Sequence, residues 1–386
     1  MSAARRASLA AILAACIAYG GGMGLTLPLL ALILERLHVP GSLNGLNIAT
    51  AGLAALAVTP FVPGWIVRFG VAQFLALALC VAAASLLAIY FVPNLWLWFP
   101  ARFVLSAALN TLFVISEFWI NQLADEKNRG RYVALYATCV QSGFGIGPLI
   151  LIFIGTRGIL PFALGASLLL VGLIPVLLAR HAAPRLEETS TASISSLMRL
   201  APVAVAGALV YGALDAGLVG LLPVYAVRSG YGEARAALTV TAFSLGSIVF
   251  QYPLGWLADR MNRLHLLALC GSTGVVGAVV TPFIIHIPWL FYAMFFLWGG
   301  LILGVYSGSL TLLGEQFRGA ELARANAGFL MAYSMGLLLA PPLEGAALDA
   351  WNPHGLLAVL GGISGAYVLF LMWRVGRSAA LTSPAP

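Results

Sequence analysis

Leu27-Pro28-Leu29-Leu30-Ala31 returns as Leu222-Pro223-Val224-Tyr225-Ala226, 195 residues further along a chain of 386. Gly64-Trp65-Ile66 likewise matches Gly255-Trp256-Leu257 at 191, and Arg131, Gly143, Gly147 and Pro148 fall on Arg324, Gly336, Ala340 and Pro341 at 193. Three anchors at nearly one offset, half the length of the chain, mark a duplicated unit. Both copies are strongly apolar, and that combination is the pattern of a two-half membrane transporter whose site lies between the halves near the bilayer midplane.

Hydrophobic residues make up 61% of the chain and charged ones 9%, with a mean hydropathy of +0.98, which places it outside the soluble globular range. Runs long enough to cross a hydrocarbon core of about 30 Å as helices lie at 8–34, 43–62, 71–92, 98–123, 132–155 and 159–179, then at 201–227, 236–258, 266–285, 289–314, 325–347 and 355–374. The expected fold is therefore all-α, twelve spans in two pseudo-twofold-related six-helix bundles. The N-terminal half is 1–179, a polar cytoplasmic linker is 180–200, and the C-terminal half is 201–386. With both termini inside, fifteen of the twenty Lys and Arg residues fall in cytoplasmic positions, only Arg36, Arg157, Arg228 and Arg235 fall outside, and Arg102 lies within span 4. That bias orients the chain in the cytoplasmic membrane with both termini cytoplasmic. The formal charge of +7 is thereby a topology signal, and no nucleic-acid partner is invoked.

Arg5-Arg6 and the apolar run to Cys16 imitate a lipoprotein leader, but the run continues to Leu34, too long for a signal segment. Cys16, Cys80, Cys139 and Cys270 sit inside spans at no metal-ligand spacing, so no disulfide framework, metal or cofactor is expected. No nucleotide-binding Gly-rich loop is present, which argues against an ATP-driven pump and, with the absence of a catalytic constellation, against an enzyme.

Gly255-Trp256-Leu257-Ala258-Asp259-Arg260-Met261-Asn262-Arg263, between spans 8 and 9, resembles the loop motif G-x-L-x-D-R-x-x-R of the major facilitator superfamily. Its first-half copy, Gly64 to Gly70, keeps the flanks and lacks the Asp; Arg102 to Ser106 is a weaker match to the span-4 motif. Gly143-x-x-x-Gly147-Pro148 is similar to the span-5 motif of exporters without its trailing glycines. Ser116-Glu117-Phe118-Trp119-Ile120-Asn121 followed by Arg129-Gly130-Arg131 is similar to the corresponding segment of YcaD-like members, as is Gln251-Tyr252-Pro253-Leu254-Gly255. The resemblance implies the major facilitator fold and transport by alternating access, and carries no substrate with it.

Two acids are read as lying well inside spans, and an ionisable group at membrane depth is a functional candidate by default. Asp215 is near the middle of span 7, one turn from Tyr211 on the same face. Glu117 belongs to a stripe on span 4 with Arg102, Ser106, Asn110, Phe113 and Asn121, all within about 100° of one face. Asp215, Glu117 and Arg102 are the proton-coupling candidates. The alternatives are a structural Asp215, an ion pair of Glu117 with Arg129 or Arg131, and an Arg102 that snorkels to the surface. Trp298, Tyr306 and Ser309 share a face of span 10 and, with Tyr19, Asn110, Phe113 and Tyr211, are the substrate-cavity candidates. Asp259, Arg260, Arg263, Arg129 and Arg131 are read as a gate, with Asp259 accepting from the start of span 5. Gly143, Gly147, Pro148, Gly336 and Pro341 are read as a helix-packing motif.

These readings converge on a proton-coupled secondary transporter, an antiporter with export preferred, acting as a monomer on a small-molecule substrate within the lipid bilayer. A metabolite importer, whether symporter or uniporter, and a transporter-like receptor or lipid-handling protein are the alternatives.

Overall fold

The computed structural model describes residues 3–92, 94–123, 129–184, 201–258 and 260–382. It is helical, with no strand among the described residues. The twelve long helices are α1 (Ala3–Arg36), α2 (Gly41–Phe69), α3 (Val71–Phe91), α4 (Leu95–Leu123), α5 (Arg129–Ile154), α6 (Leu160–Leu178), α7 (Pro202–Arg228), α8 (Glu233–Ala258), α9 (Arg263–Ile284), α10 (Pro288–Gln316), α11 (Gly319–Ala350) and α12 (Gly355–Thr382). Eleven of them are long and apolar enough to cross a membrane. In α11 the apolar run is diluted by Asn326, Tyr333, Ser334, Pro341 and Pro342. The expected linker falls almost wholly on 185–200, outside the described residues.

Turns between helices are set where a side chain would strain the backbone. Gly70 ends α2 at φ +80° and Gly230 separates α7 from α8 at φ +97°, left-handed conformations open to a residue without Cβ. Asn262 starts α9 by accepting from the Leu264 amide at 2.9 Å. Inside the helices Pro28, Pro100, Pro148, Pro253 and Pro341 are accommodated, as membrane helices allow when neighbours satisfy the freed carbonyls.

The packing repeats itself. In the first six helices α1 lies on α5, α6 and α4, and α3 lies on α4 and α6. In the last six, α7 lies on α11, α12 and α10, and α9 on α10 and α12. Each set encloses its own apolar core, one around Leu75, Leu105, Leu112 and Trp119, the other around Phe291, Phe295, Trp298 and Leu357. The sets meet through α2 against α11 and α5 against α8, two seams that a twofold axis exchanges.

The repeated glycines explain how the helices approach. A Cβ at Gly143 would lie 2.6 Å from the Gly21 amide nitrogen and 2.7 Å from the Ile17 carbonyl; one at Gly336 would lie 2.7 Å from the Ala213 nitrogen. Gly143 and Gly336 thus make the same backbone contact, on α1 and α7 respectively. Gly147 continues the first contact against Gly21 and Leu25, while Pro341 faces Gly45 of α2 in the seam between halves. Gly143→Val is expected to force α1 from α5 and cost about 2–3 kcal/mol, read as a lowered Tm in detergent. Gly64→Ala, with nothing within 4 Å of its added methyl, should leave Tm unchanged or raise it.

Candidate functional site

Aromatic rings from both halves converge where α1, α4 and α5 face α7, α10 and α11. On one side Tyr19 lies 5.2 Å from Phe113 and 6.1 Å from Phe144, ring centre to ring centre, with Tyr136 6.2 Å beyond Phe113. On the other, Tyr211 lies 5.2 Å from Tyr306 and 6.0 Å from Tyr333, and Tyr306 is 5.2 Å from Phe329. Most of these rings are half-buried, as befits the wall of a cavity.

Two carboxylates enter this basin from opposite halves. Asp215 of α7 accepts a hydrogen bond from the Tyr333 hydroxyl of α11 at 2.9 Å through Oδ2. Glu117 of α4 is half-buried, and its backbone carbonyl accepts from Asn121 at 2.8 Å. Tyr19 and Tyr306 each lie close enough to feel the charge of both acids. The structure therefore brings together Asp215, Glu117, Tyr19, Phe113, Tyr211 and Tyr306, and adds Phe144, Tyr136, Phe329 and Tyr333. The aromatic additions lie on faces that sequence periodicity alone assigns to no partner.

Other residues land elsewhere. Asn110 donates to the Thr59 hydroxyl at 2.8 Å, tying α4 to α2 within its own half. Trp298 is 1% exposed, stacked 5.8 Å from Phe295 and pressed on Gly277 of α9, so it belongs to the core of the second half and not to the basin. Ser309 is fully buried against Gly207 of α7. Arg102 does not snorkel: it is 1% exposed, with Nε and Nη1 buried and lacking a hydrogen-bond partner among the described residues. Its separation from Glu117 is about 22 Å along α4.

Of the gate residues, Asp259 and the side chains of Arg129 and Arg131 lie outside the described residues. Arg260 sits over the Trp256 ring at 3.9 Å, and Arg263 pairs with Glu315 of α10 at 3.0 Å. The Glu117 ion pair with Arg129 or Arg131 falls on the same undescribed side chains.

Sequence reasoning missed an ion network at the end of the bundle opposite the chain termini. Arg228, closing α7, forks onto Glu35 of α1 with Nε and Nη2 at 2.8 and 2.9 Å, and reaches Asp349 of α11 with Nη1 at 2.9 Å. Beside it Arg36 pairs with Glu233 at 2.9 Å and donates to Thr156, whose hydroxyl also bonds Glu233. The turns that end α1 and α7 carry the same backbone hydrogen bonds, His38 to the Glu35 carbonyl and Gly230 to the Val227 carbonyl. Arg36 and Arg228 are therefore the equivalent residues, and each finds an acid on the opposite half, Glu233 and Glu35. Under this network α2 and α11 touch backbone to backbone: a Cβ at Gly41 would lie 2.6 Å from the Gly345 carbonyl, and one at Gly52 2.7 Å from that of Ser334. The second seam is joined by Thr241, donating to the Gly145 carbonyl at 3.2 Å. Finally, the reading of two acids within spans needs correction. A third, Glu344 of α11, is fully buried.

Known proteins agree with this architecture. The Major Facilitator Superfamily model matches residues 11–240 and 205–386. The uncharacterised MFS-type transporter YfkF of Bacillus subtilis (strain 168) is 24% identical over 348 residues, covering 87% of this chain and 88% of its own. YcaD of Escherichia fergusonii, also an uncharacterised MFS-type transporter, is 26% identical over 360 residues, covering 92% and 91%. Among solved structures, a mutant of the nucleoside transporter NupG superposes with a TM-score of 0.79 at 13% identity, covering 95% of this chain and 99% of its own. A bacterial homologue of the human lysosomal transporter Spinster, inward-facing and unoccupied, gives 0.71 at 12%, covering 98% and 96%. The duplicated bundles, the twofold-exchanged seams and a family match across nearly the whole length lead to one conclusion: the chain belongs to the major facilitator superfamily and is a multi-pass membrane transporter, not an enzyme.

Proposed function

We propose that the protein is a proton-coupled secondary transporter of a small organic molecule, working as a monomer in the cytoplasmic membrane with both termini in the cytoplasm. The observation that carries this reading is the aromatic basin with one carboxylate from each half, Asp215 held by Tyr333 and Glu117 sharing Tyr19 and Tyr306 with it as neighbours. Aromatic faces and acids together suit an organic molecule with an apolar body and a cationic or hydrogen-bond-donating group. A carboxyl that serves such a group and a proton in turn couples the two flows. With the termini cytoplasmic, the ion network on Arg228 closes the outer end. Export is the preferred direction, from the likeness of Gly143-x-x-x-Gly147-Pro148 to the span-5 motif of exporters.

The test is a thermal-shift screen of the purified protein against a library of organic cations and metabolites, followed by proteoliposome transport of the stabilising compounds with an imposed pH gradient. Gradient-driven movement is the expected result. A stabilising compound transported at the same rate with and without the gradient would leave a uniporter. Glu117→Gln is expected to bring transport near background with Tm unchanged; a lowered Tm as the main defect would make Glu117 a structural residue.

A further inference from the structure

Glu344 lies where three helices meet below the outer ion network, and the surroundings are unusual for an acid. It is 0% exposed, and neither carboxylate oxygen has a hydrogen-bond partner among the described residues. The carboxyl rests on the bare Cα of Gly217: a Cβ there would lie 2.8 Å from Oε2 and 2.9 Å from Oε1. Gly217 opens a π-helical turn, Gly217–Leu221, that interrupts α7, and such turns are frequent at functional positions. On α2, which faces α11 through Gly41 and Gly45, Asn44 and Asn47 are also buried, each with one side-chain polar atom unpartnered.

The charged and titratable groups of the packed elements are engaged elsewhere. Along Gly41–Val58, α2 brings none. From α7, Asp215 is bound by Tyr333 of α11, Tyr211 is stacked in the basin, the Tyr225 hydroxyl faces His354 at 3.3 Å, and Arg228 holds Glu35 of α1 and Asp349 of α11. From α10 and α12, Tyr306 lines the basin and Tyr367 lies beside Gly207. Among the described residues no cation pairs with Glu344. An ionised carboxylate sealed in this way carries a penalty of several kcal/mol, which a bound proton removes.

We propose that Glu344 is a proton site that couples protonation to closure of the outer end: it carries a proton while α2, α7 and α11 are packed, and releases it when they part and water reaches it. Closing then takes up one proton, so acid favours the closed end and rising pH opens it, by up to about tenfold in the closed-to-open ratio per pH unit. This rests on the proposed orientation only for which solution supplies the proton. Glu344 is a positioning element of the gate and need not touch substrate.

The experiment places spin labels at Leu37 and Trp351, exposed residues in the α1–α2 and α11–α12 turns, in a chain freed of its four cysteines, and records their distance distribution from pH 5 to 9. The expected result is a longer-distance population that grows with pH in the otherwise unchanged chain and is lost, with the end closed throughout, in Glu344→Gln. In Asp215→Asn the pH response should persist, which separates this inference from the coupling role proposed for the basin. Infrared difference spectra supply a readout independent of the labels, a protonated-carboxyl stretch present in the closed state and missing from Glu344→Gln. An unchanged distance distribution across the pH range, an identical pH response in Glu344→Gln, or the same stretch in both proteins would overturn the proposal.

Discussion

Asp215→Asn is expected to abolish accumulation of substrate against its gradient while exchange of labelled for unlabelled substrate continues. The substitution keeps an acceptor for the Tyr333 hydroxyl, now 2.9 Å from Oδ2, and keeps the volume of the side chain, so the basin stays formed. What it removes is the ability to gain and lose a proton. For one proton per substrate, a gradient of one pH unit sustains an accumulation ratio of about ten, and this ratio should fall to one. Tyr333→Phe is the informative companion, since it leaves the acid and takes away the hydroxyl that donates to it; it should shift the pH dependence of transport without ending coupling. Proteoliposomes loaded with and without a gradient measure both. Accumulation that survives in Asp215→Asn would move the coupling role to Glu117.

Arg228→Ala should open the end of the bundle opposite the chain termini. The guanidinium fork binds Glu35 of one half and Asp349 of the other, with side chains only 13%, 18% and 34% exposed. Removing it leaves two like charges facing each other across the seam. Burial this partial puts the loss at about 2–3 kcal/mol, below the range for a fully buried pair, which is a shift of roughly 30- to 150-fold in the closed-to-open ratio. Arg228→Lys should recover only part of it, because one ammonium cannot reproduce a planar fork onto two partners. The spin-label distance between Leu37 and Trp351 reads the shift directly, and an unaltered distribution in Arg228→Ala would reject the network as a gate.

The duplicated anchors revealed the bundle because a contact made by backbone needs the same small residue in both copies; Gly143 and Gly336 repeat for that reason. The basin was legible where a residue's face was enough to place it, as for Tyr211, Asp215, Phe113 and Tyr306. It was not legible where a face had to be assigned to a neighbour. Trp298 shares a stripe with Tyr306, yet two turns away α10 has turned that stripe toward α9 and its own core. Asn110 shares a stripe with Glu117, yet a hydroxyl on α2 satisfies it. Glu344 reads as a residue near a helix end, with Asp349 and Trp351 following, and only the packing of α7 on α11 shows it sealed. The Arg228 network was not legible because its partners, Glu35 and Asp349, lie on other helices and are brought to it only by the packing of α1 and α11 on α7.

The bare seam between α2 and α11 gives the idle molecule a preferred side. At Gly41, Gly45 and Gly52 α2 meets the backbone of α11 directly, so separation at these points asks for little repacking and is resisted by the ionic clasp above it. A ligand presented from the clasped side meets a competent basin only in the fraction of molecules that have opened, and its apparent affinity is weakened by that fraction. The same ligand presented from the other side carries no such penalty. Binding measured in membrane vesicles of opposite sidedness should therefore differ although the site is one and the same, and the size of that difference is a direct measure of how tightly the clasp holds.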